Sequence, residues 1–178
     1  MLIAISGLPG SGKTTVARLV AAALGLEHVY AGNMFRRQAE EAGMTLQEYL
    51  RRAERDPTID RRLDDAMRTR AHAGDAVLEG RLAAVMAAEA KVPALKVFLH
   101  ASEDVRAARI TDREGGVTDE RLQEIQARET SDRQRYRDIY GVDYHDHKLY
   151  DVVVETDRRT PEDLAEEIVQ RARVRFGG

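Results

Sequence analysis

The eight residues Gly7-Leu8-Pro9-Gly10-Ser11-Gly12-Lys13-Thr14 constrain this chain more than any others. They match G-x-x-x-x-G-K-[ST] in full and sit between two patterns that give the match its meaning. Before them, Leu2-Ile3-Ala4-Ile5 is a short apolar run of the kind buried on both faces of a parallel sheet. After them, Val16, Leu19, Val20, Ala23 and Leu24 recur at helical spacing until Gly25 supplies a stop. In a strand-loop-helix unit of this kind, glycines let successive backbone N–H groups turn inward around a phosphate, and the helix N-terminus adds its positive dipole end. Lys13 is expected between the β- and γ-phosphates of a nucleoside triphosphate, and Thr14 on Mg²⁺. A glycine-rich turn that only packs a strand on a helix has no need of that lysine and threonine together.

The remaining pattern predicts a single domain with α/β architecture. Further strands are expected at Glu27 to Tyr30, Ala76 to Glu79, Ala94 to Leu99 and Asp151 to Glu155. Between them lie helical stretches from about Met34 to Ala42, from Leu46 to Glu54 behind the capping box Thr45-Leu46-Gln47-Glu48, and from Asp56-Pro57 to Gly74. Others run from Ser102, as N-cap, to Gly115-Gly116, from about Asp119 to Tyr140, and from Thr160-Pro161 onward with Leu164, Ile168 and Val169 facing inward. Strands alternating with helices imply a parallel sheet covered on both faces. At 178 residues and 43% hydrophobic composition, the chain can bury such a core. A net charge of -3 gives no basic excess for nucleic acid, and no run approaches the length of an apolar membrane span. The absence of cysteine excludes disulfides and thiolate chemistry and suits the cytoplasm.

A triphosphate-binding loop does not name the acceptor. A hydroxyl acceptor needs a carboxylate to deprotonate it, whereas a phosphate is already a nucleophile and needs cations to bring two anions together. Arginines are plentiful. Arg36 follows the second strand, Arg61 and Arg62 share the helix after Asp56-Pro57, and Arg81 lies at the carboxyl end of the third strand, where open sheets place ligands. Arg106, Arg109 and Arg113 fall on one helix. Arg128, Asp132 and Arg135 share one face of the next, where charges including Glu129 interrupt an apolar stripe of Leu122, Ile125, Tyr136, Ile139 and Tyr140. By contrast, Arg37, Arg51, Arg52 and Arg55 read as ordinary surface residues. Glu79 ends an apolar strand, where it either holds Mg²⁺ through water or caps the next helix. None of the histidines, His28, His72, His100, His145 and His147, shows catalytic or metal spacing.

Taken in order, these elements resemble the nucleoside monophosphate kinases, most closely the short cytidylate kinases typical of archaea, over nearly the whole chain. Ala31-Gly32-Asn33-Met34-Phe35-Arg36 resembles a family element whose arginine grips the acceptor's phosphate, although Asn33 stands where an acidic residue is usual. Asp56-Pro57-Thr58-Ile59-Asp60, Leu78-Glu79-Gly80-Arg81-Leu82 and the stretch from Arg128 to Tyr136 are similar to others. The resemblance implies a five-stranded parallel sheet, acceptor-binding helices over about 32–73 and a lid over about 113–118. It implies that Arg128 and Arg135 bind phosphates, that Asp132 contacts the nucleoside, and that Arg36, Arg61 and Arg81 belong to the acceptor site, with Arg62 the neighbouring choice for Arg61. ATP is implied against Gly7 to Thr15, Arg109 and the loop Asp157-Arg158-Arg159, with Arg158 assigned to it. The implied reaction is Mg²⁺-assisted transfer from ATP to CMP or dCMP in a monomer. An adenylate kinase shares the fold but not the sequence after the third strand, and a shikimate-type alcohol kinase would want an acidic group at Asn33. A nucleotide switch without kinase activity would leave the arginines unused.

Overall fold

A computed structural model describes residues 1–177. Five parallel strands, β1 (Leu2–Gly7), β2 (Glu27–Tyr30), β3 (Ala76–Glu79), β4 (Ala94–His100) and β5 (Val152–Glu155), form one sheet in the order β2-β3-β1-β4-β5. Among the described residues, eight α-helices and a short 3-10 helix (His147–Leu149) complete the fold: α1 (Lys13–Leu24), α2 (Ala31–Glu41), α3 (Leu46–Ala53), α4 (Pro57–Ala73), α5 (Ala83–Glu89), α6 (Glu103–Glu114), α7 (Thr118–Tyr140) and α8 (Pro161–Phe176). Ile5 of β1 is level with Glu79 on one side and Val97 on the other, so β1 lies at the sheet's centre with every residue buried.

Alternation along β1 divides the core. Leu2 and Ala4 join Leu78 and Phe98 under α5, the buried side of α4 and the end of α7, while Ile3 and Ile5 join Val77, Val97 and Leu99 under α1 and α8. A strand whose side chains alternate between two buried faces must be apolar throughout, which is the pattern Leu2 to Ile5 showed. Two smaller apolar clusters stand apart from the sheet. Phe35, Ala39, Tyr49, Ala53, Ile59 and Leu63 join α2, α3 and α4, and Ala107, Ile110 and Ile125 join α6 to α7.

Local signals explain most boundaries. Thr45 and Glu48 form the expected reciprocal capping box, and Asp56 accepts from the Thr58 amide ahead of Pro57. Three local expectations fail for physical reasons. Helix α2 begins at Ala31, earlier than Met34, because its N-cap is Tyr30 and no polar cap advertises the start. Ser102 stands at the N-cap of α6, but its hydroxyl makes no capping bond; its N–H donates to Asp157 Oδ1 at 2.9 Å instead. On α1, Ala17 and Ala21 share the buried stripe with Val16 and Val20, while Ala23 faces solvent. No described helix is long and apolar enough to cross a membrane.

Candidate active site

Gly10 and Gly12 adopt φ of 80° and 87°, the left-handed region that bends the loop between β1 and α1 back on itself. Four consecutive carbonyls of that loop are then held from outside. Lys13 Nζ donates to Leu8 O at 3.0 Å, Arg106 Nη1 to Pro9 O at 3.2 Å, Arg109 Nη1 to Gly10 O at 3.5 Å, and Thr156 Oγ1 to Ser11 O at 3.3 Å. The Ser11 amide closes a turn onto Leu8 O at 3.2 Å, while the Gly10 and Gly12 amides make no such bond among the described residues and are left for a ligand. The first turn of α1 has no side-chain cap and no acidic residue, so its N–H groups are also free for an anion. Gly7 and Leu8 anchor the base of this cradle, and Pro9 to Val16 line the cleft above it.

Glu79, fully buried at the end of β3, accepts from Thr14 Oγ1 at 2.6 Å. Its other oxygen lies 2.8 Å from His28 Nε2. Glu79 does not cap α5, whose N-cap is Leu82 without a side-chain bond, so the capping alternative falls. Among the described residues no group of three or more His, Asp or Glu side chains could hold a metal alone. One hydroxyl and one carboxylate do fit Mg²⁺, which keeps several waters and takes its remaining ligands from substrate phosphates. His28 escaped the sequence reading because β2 is short and its histidine has no spacing signal; only the sheet register, with Tyr30 level with Glu79, brings it there.

At the carboxyl ends of the strands opens a cleft of about 780 Å³. Lys13, Arg36, Arg81, Arg128 and Arg135 all line it. Buried Asp132 bridges two of them: Arg81 Nε lies 2.6 Å from Oδ2 as an ion pair, and Arg135 Nη2 lies 3.0 Å from Oδ1. Buried Asp60 of α4 takes Arg135 Nε at 3.0 Å. Burial and the charges of Arg81, Arg128 and Arg113 outweigh Glu79 and hold Lys13 down to about 7. The charge of Arg81, followed by burial, holds Arg128 down to about 10. Burial is the largest influence on Arg81 and works against its charge, but Asp132, Tyr136, Tyr144 and Glu129 together outweigh it and hold the guanidinium above its ordinary range. Lys13 and Arg128 are thus penalised as cations in the empty cleft, and an anion arriving between them would relieve that cost.

Not every assigned residue arrives. Arg61 and Arg62 are both exposed on α4 and outside the cleft wall, because helical periodicity turns Asp60, Leu63, Asp64 and Met67 inward instead. Arg158 is likewise exposed and outside, while its neighbour Arg159 lines the wall and pairs with Glu167 at 2.5 Å. Asn33 is exposed and does not line the cleft. Arg109 reaches the site from α6, donating to Thr156 Oγ1 at 3.0 Å and Thr156 O at 2.8 Å. Asp60 and Asp64 were missed as site residues. Their inward spacing with Leu63 and Met67 was available, but two carboxylates on a core-facing helix side read as surface until a cleft is known to lie there.

The cytidylate kinase-like family matches this chain over residues 2–158. A cytidylate kinase of Methanopyrus kandleri is 49% identical over 165 residues, covering 89% of this chain and 86% of the relative. One of Pyrococcus horikoshii is 43% identical over 162 residues, covering 91% and 83%. Among solved structures, shikimate kinase from Acinetobacter baumannii superposes with a TM-score of 0.62 at 19% identity, covering 96% of this chain and 92% of that one, a likeness of fold.

Proposed function

The chain belongs to the cytidylate kinase-like family, and from that premise we propose that it transfers the γ-phosphoryl group of ATP to the phosphate of CMP or dCMP. One observation carries the reading beyond kinship: Lys13 and four arginines face one cleft at the end of a triphosphate cradle, while the carboxylates Asp60 and Asp132 are each tied to guanidinium groups. Those two are spent on holding cations, which suits a phosphate acceptor that needs charge neutralised and no proton removed.

The division of labour follows from position. The loop amides and the α1 N-terminus hold the donor's phosphates, and Lys13 places a cation beside them. Thr14 and Glu79 would hold Mg²⁺, which when bound supplies charge neutralisation on the transferring group. Arg36, Arg81, Arg128 and Arg135 bring the acceptor's phosphate against the donor. Arg159 and the loop after β5 flank the donor's end of the cleft. The segments around 32–73 and 113–118 serve as acceptor-binding region and lid, a reading supported by the separate apolar cluster of α2 to α4 and by the one that joins α6 to α7 on either side of 113–118. Closure over both nucleotides would exclude water that the same cations would otherwise activate. A single chain supplies the whole cleft, which supports a monomer, and the cysteine-free composition supports work in the cytoplasm.

The test is ADP release from ATP and Mg²⁺ with CMP, dCMP, UMP, AMP, GMP and shikimate in parallel. Strong stimulation by CMP or dCMP is expected. Stimulation by AMP alone would keep the arginine clamp and overturn the acceptor, and stimulation by none would overturn kinase activity.

A further inference from the structure

Three carboxylates line the acceptor side of the cleft, and they are not equivalent. Asp132 is paired with Arg81 and Arg135, and Asp60 with Arg135. Asp64, 6% exposed, has no cationic partner within salt-bridge distance among the described residues. Its one hydrogen bond there comes from the Tyr140 hydroxyl to Oδ2 at 2.6 Å, which leaves Oδ1 without a donor. Unlike Asp132 Oδ2, Asp64 Oδ1 is not fully buried, so it stays open to a donor arriving in the cleft.

Its place in the cleft shows what that could be. Asp60, Leu63, Asp64 and Met67 occupy one face of α4, and Asp60 marks the arginine clamp because it holds Arg135. Asp64 lies one helical turn further on, about 6 Å along the axis. Apolar side chains line the same cleft, among them Leu63, Met67, Met86 and Leu82. A nucleotide whose phosphate met the clamp would find apolar side chains in the same cleft for the faces of its base, and Asp64 Oδ1 as an open acceptor for its edge.

Resting on the nucleoside monophosphate kinase reading, we propose that Asp64 is the residue that selects the acceptor's base, accepting a hydrogen bond at Oδ1 from the exocyclic amine of an aminopyrimidine. Uracil carries a carbonyl at that position and would set lone pairs against the carboxylate. Asp132, held by two guanidiniums, orients the clamp and does not read the base. Burial also raises the Asp64 carboxyl to about 7, so its charge is disfavoured in the empty cleft and an arriving N–H donor favours the ionised form.

The experiment compares kcat/KM for CMP and UMP in wild type, Asp64→Asn and Asp132→Asn. Asparagine keeps the acceptor for Tyr140 and can turn an N–H toward a carbonyl. The CMP to UMP ratio is expected to fall roughly 10- to 100-fold in Asp64→Asn, the value of one charged hydrogen bond, with the KM for ATP unchanged. In Asp132→Asn both substrates should lose rate together and the ratio should hold. If Asp64→Asn does not fold, Asp64→Ser is read for the same ratio. An unchanged ratio in a folded variant at position 64, or a collapse confined to Asp132→Asn, overturns the assignment. A wild type that no aminopyrimidine nucleotide stimulates overturns the kinase reading and this inference with it.

Discussion

Single residues divide into those that meet phosphate and those that hold them in place. Lys13 is the cation nearest the loop, so Lys13→Ala is expected to abolish transfer; turnover within tenfold of wild type would remove the loop from the chemistry. Arg135 stands between Asp60 and Asp132 on the acceptor side, and Arg135→Ala should raise the KM for the acceptor at least tenfold more than that for ATP. Equal losses for both nucleotides would reject that division. Asp64 gives a prediction about stability. Its carboxyl is raised from 3.8 to about 7 by burial, with Asp60, Asp65, Arg68 and Tyr140 the charged and titratable groups around it. The native state therefore holds a proton there that the unfolded chain releases between about pH 4 and pH 7, and native stability is lost as pH rises through that window. Asp64→Asn escapes this loss, so at pH 8 it should be more stable by up to about 4 kcal/mol, with little gain at pH 4. Denaturant unfolding at both values decides it, and an equal gain at both would mean that the charge is not the cause. The reactive loop was legible in the sequence because its chemistry is contiguous. Asp64 and His28 were not: the spacing of Asp64 with Leu63 and Met67 shows an inward face but no cleft, and His28 meets Glu79 only through the sheet register.

Among elements, α6 is the one whose role the sequence understated. It supplies Arg106 and Arg109 to the carbonyls of the loop, and Arg106, 1% exposed, also pairs with Glu129 of α7. The loop also lies directly on its backbone, where a Cβ on Gly10 would meet Arg106 O at 2.7 Å. Gly10→Ala must therefore fight both its φ of 80° and a backbone atom that cannot swing aside. A stability loss of about 2 kcal/mol and a tenfold or greater rise in the KM for ATP are expected, read by thermal unfolding and initial rates. If both stay at wild-type values, the loop does not depend on its seat against α6. Helix boundaries were legible where caps are chemical, as at Thr45 and Asp56. The start of α2 was hidden because Tyr30 ends a strand and begins a helix with no polar cap between.

At the scale of the molecule, the four apolar clusters suggest which parts move together. Two lie on the sheet, one joins α2 to α4, and one joins α6 to α7. Binding both nucleotides should slow amide exchange in the first half of α7 and in α2 to α4, leaving β1, β3 and β4 unchanged. Uniform slowing across the sheet would instead indicate global stabilisation by mass action. The sequence by itself determined the parallel α/β class, the phosphate loop and the wealth of cations, because each rests on residues near one another in the chain or on a periodicity that local geometry imposes. Only the tertiary structure decided which cations share the cleft, placing Arg81, Arg128 and Arg135 together and leaving Arg61 and Arg158 outside. Those choices turn on which face of a helix is buried and which strand ends are neighbours, and both are settled by the packing of segments far apart in sequence.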